Sequence, residues 1–221
     1  MIEYHDNIAQ GSDEWVAIRL GRLTASEMHL IITPTLKVAD NDKSRAHHYQ
    51  LASQRITSYI EPQYISDDML RGQSDEIYAR EAYSKNYEQV TECGFVTNDD
   101  FSGVVGYSPD GLVGDDGLIE IKSRRQHLQV KTILEDIVPA EYMIQIQTGL
   151  LVTGRKWLDF ISYSGGLPMF VKRVFPDIKM QSAIRAAAIC FNLRLNEMVH
   201  EYGLKIDGLV KTERIIEEEI I

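Results

Sequence analysis

The chain has 221 residues, with 23 Lys plus Arg against 33 Asp plus Glu, a formal net charge of −10. Its 44% hydrophobic and 25% charged residues form an ordinary globular balance, which excludes a disordered or fibrous chain. No apolar run reaches the about 18 residues of a membrane-spanning helix, and the polar start, with Glu3 and Asp6, lacks the basic-then-apolar order of a secretory signal.

Ser12 fits the N-cap of a short helix over 13–20, with Gly21 as its stop. Thr24-Ala-Ser-Glu27 reads as a capping box opening a second helix through Ile32, ended by Pro34. A loop over 35–42 leads to a helix over 43–59, with Pro62 just beyond. Ser66 fits the cap of a helix over 67–87 whose buried side is Leu70, Ile77 and Tyr83. The hydrophobic period then changes to two. Strands are expected over 90–97 and 102–108, around Asn98-Asp99-Asp100. Pro109-Asp110-Gly111 and Gly114-Asp115-Asp116-Gly117 are turns, the latter introducing the strand Leu118-Ile-Glu-Ile-Lys122. A helix over 140–152 ends at Gly154, and a hairpin joins 157–163 to 169–175. Pro176 suits the first turn of a final helix, with Ile184, Ala188, Phe191, Leu195, Met198 and Tyr202 on one stripe and Gly203 closing it. No repeat or low-complexity linker interrupts this order. It predicts a single domain over 1–221, of α+β class, an α/β sandwich with a central mixed sheet flanked by helices.

Cys93 and Cys190 are too few for a disulfide framework and lie in no zinc motif, so they read as two buried thiols of a cytoplasmic protein. Trp15 and Trp157 read as core residues. The acidic balance opposes a surface coated with basic charge, but not basic residues gathered on one inner surface. Glu213, Glu217, Glu218 and Glu219 read as a solvated tail. Lys37, Lys43, Arg45, His47 and His48 cluster around a loop and a helix start, more simply a solvated face than a DNA entrance. Adjacent His47 and His48 do not share a helix face, which excludes them as a metal pair.

The chemistry is concentrated in Ser108-Pro-Asp-Gly111 and Glu120-Ile-Lys122. Side chains alternate along a strand, so Glu120 and Lys122 share one face while Ile119 and Ile121 point to the other. A hairpin folds Asp110 back beside Glu120. Two carboxylates and an ammonium then converge at the end of a sheet. Carboxylates and a backbone carbonyl are the hard oxygen ligands that Mg²⁺ prefers, and a bound Mg²⁺ assists phosphodiester cleavage. A nearby lysine either handles the proton of the attacking water or neutralises developing charge.

Further blocks lie in a consistent order: Gly11-Ser-Asp-Glu-Trp15, Arg19-Leu-Gly21, Thr24-Ala-Ser-Glu27, Arg71-Gly72 with Glu76, and Tyr142-Met-Ile-Gln-Ile-Gln147. Together with the two blocks above they resemble the PD-(D/E)XK nuclease superfamily, and within it the lambda exonuclease family of YqaJ-type viral recombinases. The resemblance implies Asp110, Glu120 and the carbonyl of Ile121 as metal ligands, with Lys122 as the catalytic amine. It further implies Glu76 as a helical carboxylate near the metal and Gln145 as a contact to the attacking water or a phosphate oxygen. Arg19, Ser26 and Ser108 would hold the 5′-phosphate, and one of Arg124 and Arg125 would contact phosphate. The implied activity is Mg²⁺-dependent 5′→3′ digestion of linear double-stranded DNA, with one or two metals per site and Mn²⁺ as a substitute. The implied assembly is a homotrimeric ring around DNA, working with a single-strand annealing protein. A restriction-type endonuclease and a silent DNA-end-binding module are the competing readings. No GxxxxGK[ST] motif occurs, so the chain carries no helicase motor of that kind.

Overall fold

The computed structural model describes residues 1–62, 64, 66–101 and 104–215. Strand β1 (Ile2–His5) and helix α1 (Asp13–Arg19) open the chain. Ser12 caps α1 by accepting from the Trp15 amide. After β2 (Leu23–Thr24), the expected second helix is a short 3-10 turn over Ala25–Leu30. Its capping box is present: Glu27 Oε2 accepts from Thr24 N at 3.0 Å and from Thr24 Oγ1 at 2.6 Å. Helices α2 (Asp42–Thr57) and α3 (Asp67–Asn86) follow, capped by Asn41 and by Ser66. Then come β3 (Val90–Thr91), β4 (Phe95–Asn98), β5 (Val105–Tyr107), β6 (Gly111–Val113) and β7 (Gly117–Ser123). The chain continues through α4 (Gln126–Glu135), α5 (Ala140–Thr153), β8 (Trp157–Tyr163), β9 (Phe170–Val174) and α6 (Ile178–Lys205).

The class is α+β, with two mixed sheets flanked by helices rather than one. Their strand orders are β1-β4-β5-β2 and β3-β6-β7-β8-β9. The strand expected over 90–97 breaks into β3 and β4, which join different sheets. The break lies beside Gly94, where a Cβ would stand 1.9 Å from the carbonyl oxygen of Ile8. Only glycine lets the two backbones pass that closely. Residue 102, where the next strand was expected to start, and Glu217 to Glu219 of the acidic tail lie outside the described residues. Among the described residues, no helix is long and apolar enough to cross a membrane.

The larger core gathers Leu118, Phe160, Ile146, Leu150 and the α6 stripe Ile184, Ala188, Phe191 and Leu195. Met198 is half-buried and Tyr202 exposed, so the stripe ends a turn early. Gly203 lies inside α6, and Pro176 precedes the cap residue Asp177 instead of sitting in the first turn. A smaller core packs Ala79 and Tyr83 of α3 on Val113, Ile119, Ile121 and Ile161. Each fully buried large apolar side chain there contributes about 1.5–3 kcal/mol. Leu70 and Ile77, expected on the buried side of α3, are 52% and 56% exposed. The apolar contact of the helix with the sheet comes from Ala79 and Tyr83, while its first half meets β7 through polar groups, Arg71 and Asp75 on Ser123. Cys93 is buried as expected, whereas Cys190 is exposed on α6.

Candidate active site

β6 and β7 pair antiparallel with Gly111 opposite Ile119, so the next position in register sets Asp110 opposite Glu120. Asp110 Oδ2 accepts from the Ile121 amide at 2.6 Å, which locks the loop onto the strand. On the same face of β7, Lys122 Nζ donates to Glu120 Oε1 at 2.7 Å. The Gln145 amide, presented by α5, donates to the same oxygen. Tyr107 OH reaches over from the other sheet and donates to Glu120 Oε2 at 2.8 Å. Glu120 is 1% exposed and thus takes three donors in a dry setting. The approach of α5 to Tyr107 needs Gly149, where a Cβ would stand 2.8 Å from the phenol ring.

Glu76 on α3 completes the acidic group. Arg80, one turn on, pairs with Glu76, with Glu92 at 3.0 Å, and with the carbonyl of Asp110 at 2.9 Å. This pair is more than a solvated i, i+4 contact, because it ties the helix to the Asp110 loop. Burial raises the Asp110 carboxyl well above the usual carboxylate range, and Glu120 and Glu76 add to the rise. Burial likewise raises Glu76, against the pull of Arg80. Burial alone would lower the Lys122 ammonium, but Glu120 and Asp110 outweigh it and leave its pKa above the ordinary lysine value.

These residues fit a hard divalent cation. Asp110 and Glu120 are oxygen donors whose charges repel one another in a buried pocket, and the Ile121 carbonyl lies on the same strand. Among the described residues, no group of three or more His, Cys, Asp or Glu side chains is arranged to hold a metal. A hard cation held by two carboxylates fills its remaining positions with water and substrate phosphate.

A second cluster adjoins this one. The Arg19 guanidinium lies 3.9 Å from the ring centroid of Trp15, and Trp15 Nε1 donates to Ser108 Oγ at 2.9 Å. Ser108 is two residues before Asp110. Burial lowers the Arg19 pKa from its ordinary value, partly offset by Glu27. Ser26 is exposed and lies 3.1 Å from Thr24 Oγ1. Trp15 is half-buried at this cluster instead of sitting in the core, and Trp157 is half-buried under Arg173.

Arg124 and Arg125 part company. Arg124 is buried against Tyr142, whose hydroxyl accepts from Nη1, while Nε is buried without a partner among the described residues. Lys122 Nζ stands 5.5 Å from the centroid of the same Tyr142 ring. Arg125 is exposed and pairs with Asp68 at 2.9 Å. Around the helix start, His47 is 2% exposed and Arg45 is paired with both Asp40 and Asp42, so neither offers a free cation.

Sequence reasoning missed Tyr107, the bond from Arg80 to the Asp110 loop and the position of Trp15. Tyr107 touches Glu120 across two sheets, which no spacing encodes. Arg80 had a visible signal, its i, i+4 relation to Glu76.

Two carboxylates facing each other across a hairpin, with a lysine two residues beyond the second, define a nuclease core of PD-(D/E)XK type. The profile of the YqaJ-like viral recombinase domain matches residues 14–156, and the chain belongs to that family. The alkaline exonuclease LHK-Exo from Laribacter hongkongensis is similar over 90% of this chain and 100% of its own, at 33% identity and a TM-score of 0.80. Its complex with dAMP matches equally, at 33% identity and a TM-score of 0.80. A phage-related exonuclease from Haemophilus somnus shares the fold at 13% identity and a TM-score of 0.57, over 82% of this chain and 96% of that one. No curated protein matches the sequence.

Proposed function

We propose that the chain is a Mg²⁺-dependent exonuclease that digests linear double-stranded DNA processively from the 5′ end. It releases 5′-mononucleotides and leaves a 3′ single-stranded tail for an annealing partner. One observation carries this reading. Ser108, joined to Arg19 through Trp15, and Asp110, opposite Glu120, are two residues apart, so their Cα atoms stand at most about 7 Å from one another. That is of the order of one step of a sugar–phosphate backbone. A terminal phosphate on Arg19 and Ser108 sets the next linkage at Asp110 and Glu120, so cleavage removes one nucleotide and requires an end. The similar alkaline exonuclease of Laribacter hongkongensis, and its complex with dAMP, support the same chemistry.

Asp110, Glu120 and the Ile121 carbonyl would hold one or two Mg²⁺ ions, with Mn²⁺ as a substitute. Such an ion would polarise a phosphoryl oxygen and offset charge as it develops. Lys122, held as an ammonium by its two carboxylates, serves electrostatically at the reacting phosphate. Gln145 orients Glu120, and Glu76 adds negative potential at the metal position. Arg124 is paired with Glu141 at 3.4 Å and Arg125 with Asp68 at 2.9 Å, so whichever of the two contacts a DNA phosphate gives up its partner. A homotrimeric ring with a basic lumen reconciles a net charge of −10 with a polyanionic substrate, since enclosure replaces local affinity.

Tyr107→Phe keeps the ring against Gly149 but removes one donor from Glu120. Activity falls about tenfold and the half-saturating Mg²⁺ concentration rises, as initial rates across a metal titration would show. An unchanged titration would assign Tyr107 to packing alone.

The reading itself is tested with linear duplex carrying one 5′-phosphorylated strand, beside a covalently closed circle, each in Mg²⁺ and in chelator. Loss of the phosphorylated strand as mononucleotides, with the circle spared, is the expected result. Cutting of the circle would mean an endonuclease, and no metal-dependent cleavage of either would mean an end-binding module.

A further inference from the structure

Trp15 supports both groups of the phosphate pocket. Ser12 fixes its backbone at the start of α1, and Arg19 follows four residues on, one turn along the same face. The guanidinium lies on the indole at 3.9 Å from the ring centroid and makes no ion pair among the described residues. The indole N–H donates to Ser108 Oγ at 2.9 Å and to Gly94 O at 3.1 Å. A serine hydroxyl carries one proton. Since the Ser108 oxygen accepts from Trp15, its own proton points elsewhere, and among the described residues it donates to nothing. Ser26 is the opposite case. Thr24 donates its only hydroxyl proton to Glu27 Oε2 at 2.6 Å, so the 3.1 Å contact between Thr24 and Ser26 is donated by Ser26. The Ser26 proton is therefore committed inside the capping box.

We propose that Trp15 is the positioning residue that makes this pocket selective for a terminal phosphate. It lays the Arg19 fork flat and turns the Ser108 hydroxyl outward as a donor, while Ser26 contributes no proton. The inference rests on the proposed 5′-phosphate site.

The measurement is the rate ratio between duplexes ending in a 5′-phosphate and in a 5′-hydroxyl, with KM and kcat separated. A wild-type ratio near one overturns the site and the inference together. Given a wild-type preference, Trp15→Phe keeps the stacking ring and removes the N–H, so the ratio falls about tenfold, mainly through KM on phosphorylated ends. Ser108→Ala lowers it to a similar level. The double variant falls no further, because both changes act through one hydroxyl. Ser26→Ala keeps the ratio within about twofold. A wild-type ratio in Trp15→Phe, an additive double variant, or a larger loss in Ser26→Ala than in Ser108→Ala overturns the inference and leaves the site standing. Should Trp15→Phe fail to fold, the Ser108→Ala and Ser26→Ala comparison, made with the indole in place, decides it.

Discussion

Replacing Lys122 by Met lowers the rate of nucleotide release by about 10³-fold, the range for removing a preorganised charge stabiliser or a proton-transfer group. Binding of duplex ends in chelator changes far less, about fivefold at most, since one phosphate contact among several is lost. Methionine keeps the apolar stem that packs beside Tyr142 and removes only the ammonium. The complication is structural, because Lys122 also offsets the buried Glu120 at 2.7 Å. Lys122→Arg separates the two roles. It restores positive charge beside Glu120 and hence thermal stability, but its broad planar fork does not reproduce a compact ammonium at the reacting phosphate. Single-turnover release of an end-labelled nucleotide, run beside a thermal melt, reads both. Activity of Lys122→Met within tenfold of wild type would remove the residue from the chemistry.

The Lys122 position was legible because it depends on local rules. Alternation sets Glu120 and Lys122 on one face of β7, and turn residues on either side of β6 force the hairpin that returns Asp110 to Glu120. The caps at Ser12, Ser66 and Thr24 were equally local. What stayed hidden depends on contacts between distant segments or on polar burial. Helix α4 gave no signal because its buried face is polar. Gln129 is fully buried, bonded to the carbonyls of Ser162 and Pro168 and to the Ser162 hydroxyl, and Arg125 provides no side-chain cap. A helix satisfied by hydrogen bonds instead of apolar packing has no hydrophobic period to read. The α3 stripe failed for the converse reason. Leu70 and Ile77 have helical spacing, but spacing does not say that this part of the helix meets β7 through polar groups, Arg71 and Asp75 on Ser123.

The same distinction separates the three supports of Glu120. Lys122 reaches it from the same strand and Gln145 from a helix whose sequence block was recognisable. Tyr107 reaches it from the second sheet, so its role exists only once two sheets and α5 are assembled around Gly149. The side chains that gather at the proposed site were readable from sequence, whereas the groups that hold them in place were mostly not.

Asp159→Ala destabilises the protein by about 3 kcal/mol, which lowers the melting temperature by about 10 °C for a chain of this size. Asp159 is 3% exposed on β8, on the face of the sheet opposite Glu120. Its Oδ2 accepts from Tyr83 OH at 2.6 Å, and Arg173 clasps both oxygens at 2.8 and 2.9 Å. The Arg173 guanidinium also covers Trp157, 3.5 Å from the ring centroid. One carboxylate thereby joins α3, β8 and β9. Burial, then the bond to Asp159, hold the Tyr83 phenol above its ordinary pKa, so it remains a neutral donor. Alanine strands that hydroxyl in the core, which costs about 1–3 kcal/mol. The Arg173 side chain is 40% exposed, so its charge returns to water and its share of the loss is small. Tyr83→Phe, which removes donor and desolvation together, should cost only about 1 kcal/mol. The difference between the two variants in denaturant melts measures the stranded hydroxyl. The consequence reaches the active site, because Tyr83 is the anchor of the helix that carries Glu76 and Arg80. Asp159→Ala should therefore also lower activity at temperatures where the protein is still folded. A loss below about 1 kcal/mol would reduce the network to the worth of a surface pair and remove that coupling.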